Sequence, residues 1–459
     1  MTKQQRLVLV ICILASFVAF LDGSVVNVGL PAIVHDLGGG LAVQQWVVDA
    51  YLITLGSLML VAGSFSDLFG RKKVLGWGLG GFLVASVLCA IAPTSSLLIA
   101  SRALQGVAGA LLVPSSLAFI IGAFSGKAQG RAIGIWTSWT GIAFIVGPLL
   151  GGFLIDISSW RAIFAINIVP IAVAFWLMRW LDQPEHVRQK TRIDWLGVGL
   201  GGVGLAGPVY ALIEQPHFGW TNPVILSTLI GGMLVFGAFL VHEKRSEHPM
   251  LPLALFKARN FSVGNIATTS IYAGLSIATF LIVIFLQQIE NYSAISAGVA
   301  LIPATLVMFV LSPRLGSLSS TFGPRIFMAL GPIIAGIGFL YMLRIGQPLA
   351  YWAELLPGIL LFGLGLSVTV TPLTSAVLGS IHAEQAGVAS AINNAIARIA
   401  GLIAIAAVGV IVGPAMTVQG FHRGLIATAI LLFIGGIISA IGITNKGVRA
   451  APQTPNEQK

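Results

Sequence analysis

Apolar runs of about 20 residues recur from one end of the chain to the other, divided by short polar links. A helix of that length matches the ~30 Å hydrocarbon core of a bilayer. Fourteen such runs are predicted, at 7–29, 45–62, 74–92, 97–121, 131–155, 161–181, 194–214, 223–241, 261–289, 295–313, 325–344, 353–379, 387–412 and 423–443. A membrane β-barrel calls for segments of about ten residues that alternate in polarity, and these runs do not alternate. In lipid every backbone N–H and C=O must find its partner inside the protein. The chain therefore reads as an all-α polytopic membrane protein. Hydrophobic residues make up 56% of it and charged residues 9%, against about 25% charged in soluble domains.

The net charge of +10 lies mostly in the links, so it points to a lipid surface and not to nucleic acid. With the N-terminus inside, the inner segments hold twenty Lys and Arg, and the outer segments hold only Arg161, Arg344 and Arg423. That bias predicts two cytoplasmic termini, in a bacterial cytoplasmic (inner) membrane. Cys12 and Cys89 sit inside apolar runs and imply no disulfide framework. No small-residue cleavage site precedes a soluble domain, so the first run is expected to be a retained helix.

Gly63-Ser-Phe-Ser-Asp67-Leu-Phe-Gly70-Arg71 returns, altered, as Gly316-Ser-Leu-Ser-Ser320-Thr-Phe-Gly323-Pro-Arg325. Both copies fall on inner links, after the second and tenth runs. The chain thus divides into two six-helix halves, 1–181 and 260–444. A linker and two inserted helices (182–259) separate them, and a cytoplasmic tail (445–459) follows. Two such halves around a midplane site is a transporter architecture. The link from Asp182 to Asp194 is expected to be a surface segment with one amphipathic turn.

An ionisable residue at mid-span costs about 2.5–3.5 kcal/mol and needs a reason. At about 1.5 Å per residue, Asp22 and Arg102 reach similar depths, some 22 Å from the cytoplasmic side. They suit either a packing pair or a proton site tuned by burial and a neighbouring cation. Asp49, one turn into the second run, suits a helix-end acid, a proton site or an attractor of cations. Asn394 and Arg398 share a helix face and suit an interhelical clamp or a substrate contact. Trp136 is placed at the interface belt. Trp139, Phe144, Tyr272, Gln287 and Gln288, with Asn27 and Gln105, are candidates for a cavity lining. Glu214, Glu290 and Glu354 read as solvated helix-end acids. No metal cluster, nucleotide loop or nucleophile with its base is evident, so an enzyme is not expected.

The Gly63–Lys73 stretch resembles the signature between the second and third helices of the major facilitator superfamily. Leu21-Asp22-Gly-Ser-Val-Val-Asn27-Val-Gly-Leu30-Pro31, Arg102-Ala-Leu-Gln105-Gly106, Gly147-Pro148-Leu-Leu-Gly151-Gly152 and Trp160-Arg161-Ala-Ile-Phe164-Ala-Ile-Asn167 are similar to motifs of its fourteen-span drug/proton antiporters. Phe256–Phe261 and Asn394–Gly401 continue the likeness. The resemblance implies proton coupling through Asp22 and Arg102, with Asp49 as a further acid. It implies a hinge at Gly147, Pro148, Gly151 and Gly152. It also implies a cytoplasmic latch of Gly63, Asp67, Gly70, Arg71 and Lys72 against the thirteenth helix near Gly387. The expected function is proton-coupled multidrug efflux of small amphipathic compounds, cationic or neutral, by alternating access. A carrier of a specific metabolite, anion or lipid is the alternative. The partners expected are protons, such substrates and lipid, with no cofactor beyond the proton gradient, no metal, no nucleic acid and a monomeric state. One departure stands out. The tenth span carries Met308 and no acid, and the thirteenth carries Asn393, Asn394 and Arg398, so the second half is neutral to basic.

Overall fold

The computed structural model describes residues 1–59, 61–181, 193–246, 249–382 and 385–445. Most of the 182–194 link and almost all of the expected tail lie outside the described residues. Eighteen α-helices follow one another among the described residues: α1 (Lys3–Leu37), α2 (Gly40–Met59), α3 (Ala62–Phe69), α4 (Arg71–Ala90), α5 (Ser95–Ala123), α6 (Gly126–Ile157), α7 (Ala162–Ala165), α8 (Ile168–Met178), α9 (Trp195–Phe218), α10 (Pro223–Arg245), α11 (Arg259–Gln288), α12 (Ala294–Ala300), α13 (Ile302–Phe322), α14 (Pro324–Tyr341), α15 (Leu356–Leu378), α16 (Ala386–Ala406), α17 (Val408–Val412) and α18 (Val418–Gly442). No strand occurs among these residues. Twelve helical stretches are long and apolar enough to cross a membrane, and α12 and α13 form one of them. The 20-residue α2 and the shorter apolar stretch Ala162–Met178 stand where the second and sixth spans were expected.

α1 overruns its expected limits at both ends. Thr2 and Gln5 form a reciprocal capping box at its start, and it continues to Leu37 before Gly38 ends it. A capping box satisfies two of the amide donors that a helix start leaves open, which lets the helix begin in polar surroundings.

The two halves repeat one packing plan. In the first, α4 packs on α5, α2 on α5, and α1 on α6 and α8; in the second, α14 packs on α15, α13 on α15, and α11 on α16 and α18. The sequence echo has a backbone counterpart. Gly70 joins α3 to α4 at φ 93° and ψ 138°, and Gly323 joins α13 to α14 at φ 88° and ψ 151°. Only glycine takes that conformation without strain, so the two copies preserve a turn. The inserted α9 and α10 pack on each other, and α9 also lies against α2, α16 and α17. The inserted pair therefore flanks the seam between the halves.

Close approach holds these helices together in place of a hydrophobic drive. At Gly106 a Cβ would meet the Thr54 hydroxyl and the Tyr51 carbonyl, fixing α5 tightly against α2. Gly141 on α6 has nothing within 4 Å of that position. Gly106→Val is expected to lower the melting temperature in detergent markedly, because overpacking costs about 1–3 kcal/mol or more. Gly141→Ala should leave it unchanged.

Candidate functional site

The first half closes around a buried charged cluster. Asp22 on α1 is fully buried and Arg102 on α5 is 1% exposed; their Oδ2 and Nη1 atoms lie 2.5 Å apart. The other carboxylate oxygen accepts from Gln105 Nε2 at 2.9 Å and from Asn167 Nδ2 at 3.2 Å. Gln105 Nε2 and Asn167 Nδ2 also donate to Ser86 Oγ, at 2.9 and 3.3 Å. Arg102 donates from Nη1 to Gln105 Oε1 at 2.6 Å and from Nε to the Val47 carbonyl at 3.0 Å. Its guanidinium lies 4.4 Å from the centre of the Tyr51 ring. A buried ion pair survives only when its remaining lone pairs and protons are met, and here five segments meet them.

A narrow crevice lies beyond Tyr51, between the halves. Phe20, Tyr51, Leu55, Met59, Asn394 and Arg398 are among the residues that line it. Arg398 is half-buried on α16, with its guanidinium 5.6 Å from the Phe20 ring centre.

The hydrogen bonds that join the halves lie at one end of the molecule, opposite the N-terminus. Gln45 Nε2 donates to the Ile405 and Ala406 carbonyls at 2.6 and 2.9 Å. Gln287 Nε2 donates to the Val28 carbonyl at 2.9 Å. Asp156, in the last turn of α6, accepts from the Ala294 and Ile295 amides at 3.2 and 3.1 Å. Beside it, Gly152 packs directly on the Ile295 backbone, and a Cβ at Gly298 would sit 2.6 Å from the Pro148 carbonyl oxygen. Among the described residues no hydrogen bond or ion pair joins the halves at the N-terminal face. The conformation is closed at the far face.

The model of the Major Facilitator Superfamily matches residues 12–405. The chain belongs to that superfamily. It is 31% identical over 93% of its length to the methylenomycin A resistance protein of Bacillus subtilis, covering 94% of that relative. It is 32% identical over 89% of its length to the multidrug resistance protein Stp of Mycobacterium tuberculosis, covering 76% of it. It is 31% identical over 94% of its length to the puromycin resistance protein of Streptomyces alboniger, covering 88%. Among solved structures, a peptide transporter in complex with sulfate superposes with a TM-score of 0.71 at 14% identity, covering 96% of this chain and 94% of that one. That likeness concerns the fold. Membership makes the chain a membrane transporter and not an enzyme.

Within the superfamily frame, several expected positions move. Gln105 belongs to the charged cluster and not to a cavity lining, because Asp22, Arg102 and Ser86 take its amide. Trp136 is not an interface residue: it is 9% exposed and its indole donates to Ser16 Oγ at 3.0 Å. Gln287 is spent on the far-face closure, while Gln288 is exposed. Trp139 is exposed, Asn27 is half-buried, and Tyr272 is half-buried on α11. The Phe144 and Asp67 side chains and the packing of Gly63 lie outside what the structure describes. Arg71 and Lys72 do not bridge the halves here. Arg71 lies along Gly122 on α5, and Lys72 donates to the Leu181 carbonyl at 2.8 Å. The far face is the closed one, and among the described residues of the second half no hydrogen bond or ion pair reaches them. Gly70 serves as the turn between α3 and α4 described above.

Gly147 and Gly151 pack on Ser24 and Val25 of α1, opposite the Gly152 contact. Asp49 is fully buried, and among the described residues neither carboxylate oxygen has a hydrogen-bond partner. The three acids read as solvated have partners instead. Glu214 accepts from the Trp46 indole, Glu290 from the Leu349 amide and Glu354 from the Ala350 amide. Ser86, Asn167, Tyr51 and Asp156 were not singled out as site residues. Asn167 was the most visible of them, as an amide inside an otherwise apolar span.

Removing one partner of a buried pair leaves a bare charge and costs about 3–5 kcal/mol. Asp22→Asn and Arg102→Met should each lose stability on that scale in mixed-micelle unfolding titrations, and the double variant should lose less than the two single losses added together. Asp156→Ala should loosen the far face. Spin labels at Ser158→Cys and Asn291→Cys, with Cys12 and Cys89 replaced by Ala, should report a longer distance than in the otherwise unaltered protein.

Proposed function

We propose that the chain is a proton-coupled exporter of small amphipathic compounds that works by alternating access. The observation that carries this reading is the Asp22–Arg102 cluster, one ring away from the inter-half crevice. Tyr51 touches both, since its ring lies under Arg102 and also lines the crevice. Relatives named for resistance to methylenomycin A and to puromycin, and for multidrug resistance, support export as the direction.

Protonation of Asp22 removes the charge that holds Arg102. The guanidinium is then left with the Val47 carbonyl on α2, the Gln105 side chain and the Tyr51 ring. A shift of Arg102 therefore acts first on α2, the helix that also carries Gln45 of the far-face closure. In this mechanism proton uptake at Asp22 and parting of the far face are two ends of one helix. Asp49 on the same helix, buried with no hydrogen-bond partner among the described residues, is the second candidate for proton carriage. Gly147–Gly152 would be the sliding surface between α1, α6 and α12. The closed far face would be the outer one, with both termini cytoplasmic. α2 and α7–α8 complete fourteen spans. The working unit would be a monomer, and the proton gradient would supply the energy without a cofactor.

Asp22→Asn in proteoliposomes should reduce pH-driven efflux to the level of empty liposomes while leaving ligand binding in place. Full pH-driven exchange by this variant would remove Asp22 from the proton path.

A further inference from the structure

The structure assigns a cargo charge to the crevice. We propose that Arg398 is the anchor for a monoanionic amphiphile, one that carries a single carboxylate or sulfonate on an apolar body. This rests on the export reading and departs from the cationic or neutral cargo that the family resemblance implies.

Among the described residues that line the crevice, Arg398 carries the only formal charge. The nearest carboxylate of the first half, Asp22, is fully buried and already holds Arg102, Gln105 and Asn167. Asp49 is fully buried too and does not line the crevice. Among the described residues the Arg398 guanidinium forms no salt bridge or hydrogen bond, and it lies 5.6 Å from the centre of the Phe20 ring. Its charge also reaches Tyr51 on α2 and Tyr272 on α11. One turn earlier, Asn394 lines the same crevice, and its amide nitrogen donates to the Ser390 carbonyl at 3.0 Å.

A guanidinium presents a planar fork of donors that suits the oxygens of a carboxylate or sulfonate. Leu55, Met59 and Val113 continue the lining with apolar surface. The crevice has about 20 Å³ of free volume in this conformation, so a small charged head and an apolar body find complementary surfaces there only as it widens. An ammonium group would meet a like charge, with no acid among the described lining residues to offset it.

The charge of the cargo decides what drives it. A monocation leaving as one proton enters moves no net charge. A monoanion leaving as one proton enters moves two positive charges inward. The membrane potential then acts on the exchange at about fiftyfold in gradient per charge for each 100 mV.

The test uses three naphthalene probes: naphthalene-2-sulfonate, its neutral primary sulfonamide, and trimethyl(2-naphthylmethyl)ammonium. Binding to the full chain in detergent is read by tryptophan quenching. Flux is read in proteoliposomes with the potential clamped by potassium and valinomycin. The sulfonate is expected to bind at least tenfold more tightly than the ammonium, and its export should rise as the inside is made negative. Arg398→Gln should weaken sulfonate binding by tenfold or more and sulfonamide binding by less than threefold. Arg398→Lys, which keeps the charge and loses the fork, should fall between, and it keeps the test open if the Gln variant melts early. Ammonium binding equal to or tighter than sulfonate binding, or an Arg398→Gln variant indifferent to the sulfonate, overturns the anchor while leaving export intact. Sulfonate binding that depends on Arg398 without any gradient-driven flux keeps the anchor and overturns the export reading. Binding of none of the three probes overturns the anchor.

Discussion

A carboxylate and a guanidinium enclosed by membrane helices cannot be left to themselves, and the first half is built around meeting them. Asp22 receives donors from Arg102, Gln105 and Asn167, and Arg102 in turn reaches the backbone of α2 at Val47. Ser86 on α4 ties Gln105 and Asn167 together. Helices α1, α2, α4 and α5 and the join between α7 and α8 therefore converge on one ion pair. The second half repeats the helix pairing with a neutral clamp at a comparable seam: Asn393 on α16 donates to Asn265 and Thr268 on α11, at 2.9 and 3.0 Å. An amide clamp has no protonation state to change near neutral pH. The same scaffold thus carries a titratable centre in one half and a neutral one in the other.

The far-face closure differs in kind from both. Gln45, Gln287 and Asp156 each bond to backbone atoms across the seam, and no ion pair between side chains joins the halves among the described residues. Neutral hydrogen bonds contribute about 0.5–1.5 kcal/mol net and those to charged groups about 1.5–3. The five bonds of the closure therefore total about 5–10 kcal/mol, which the differential affinity of a ligand or a proton for the two states has to offset. Salt bridges between side chains would impose a second desolvation cost each time the seam opened and closed. The Ile405 and Ala406 carbonyls and the Ala294 and Ile295 amides lie at helix ends, where such groups are open acceptors and donors in either state, so exchanging their partners for water costs little.

Much of this architecture was legible because it is written in one dimension. Apolar runs gave the spans, and the repeated glycines at 70 and 323 marked equivalent turns whose φ values agree within a few degrees. The similar depths of Asp22 and Arg102 followed from counting residues along two antiparallel helices. What stayed hidden depends on which way a helix faces. Ser86 and Asn167 are small polar residues of a type that membrane helices carry at many positions, and only packing reveals that both face Asp22. Trp136 looked like an interface aromatic because a tryptophan near a helix end usually is one, yet Ser16 takes its indole N–H. Arg71 looked like a bridge between halves, but a latch is a property of one conformation, and a sequence does not say which conformation is populated.

Tyr51 connects these layers. Its ring lies on the Arg102 guanidinium on one side, and on the other it lines the crevice that Arg398 enters. It also stands on α2, six residues along from Gln45 of the closure. A cargo that displaces the ring must alter the contacts of Arg102, and loss of the Asp22 charge must alter the position of the ring. Linkage makes these effects equal in free energy: whatever cargo binding does to proton affinity, protonation does to cargo affinity. Coupling over this short path needs no relay through the second half. The second half then contributes the anchor on α16 and the backbone against which α2 closes. This accounts for why the charged cluster can be confined to one half while the transport cycle engages both.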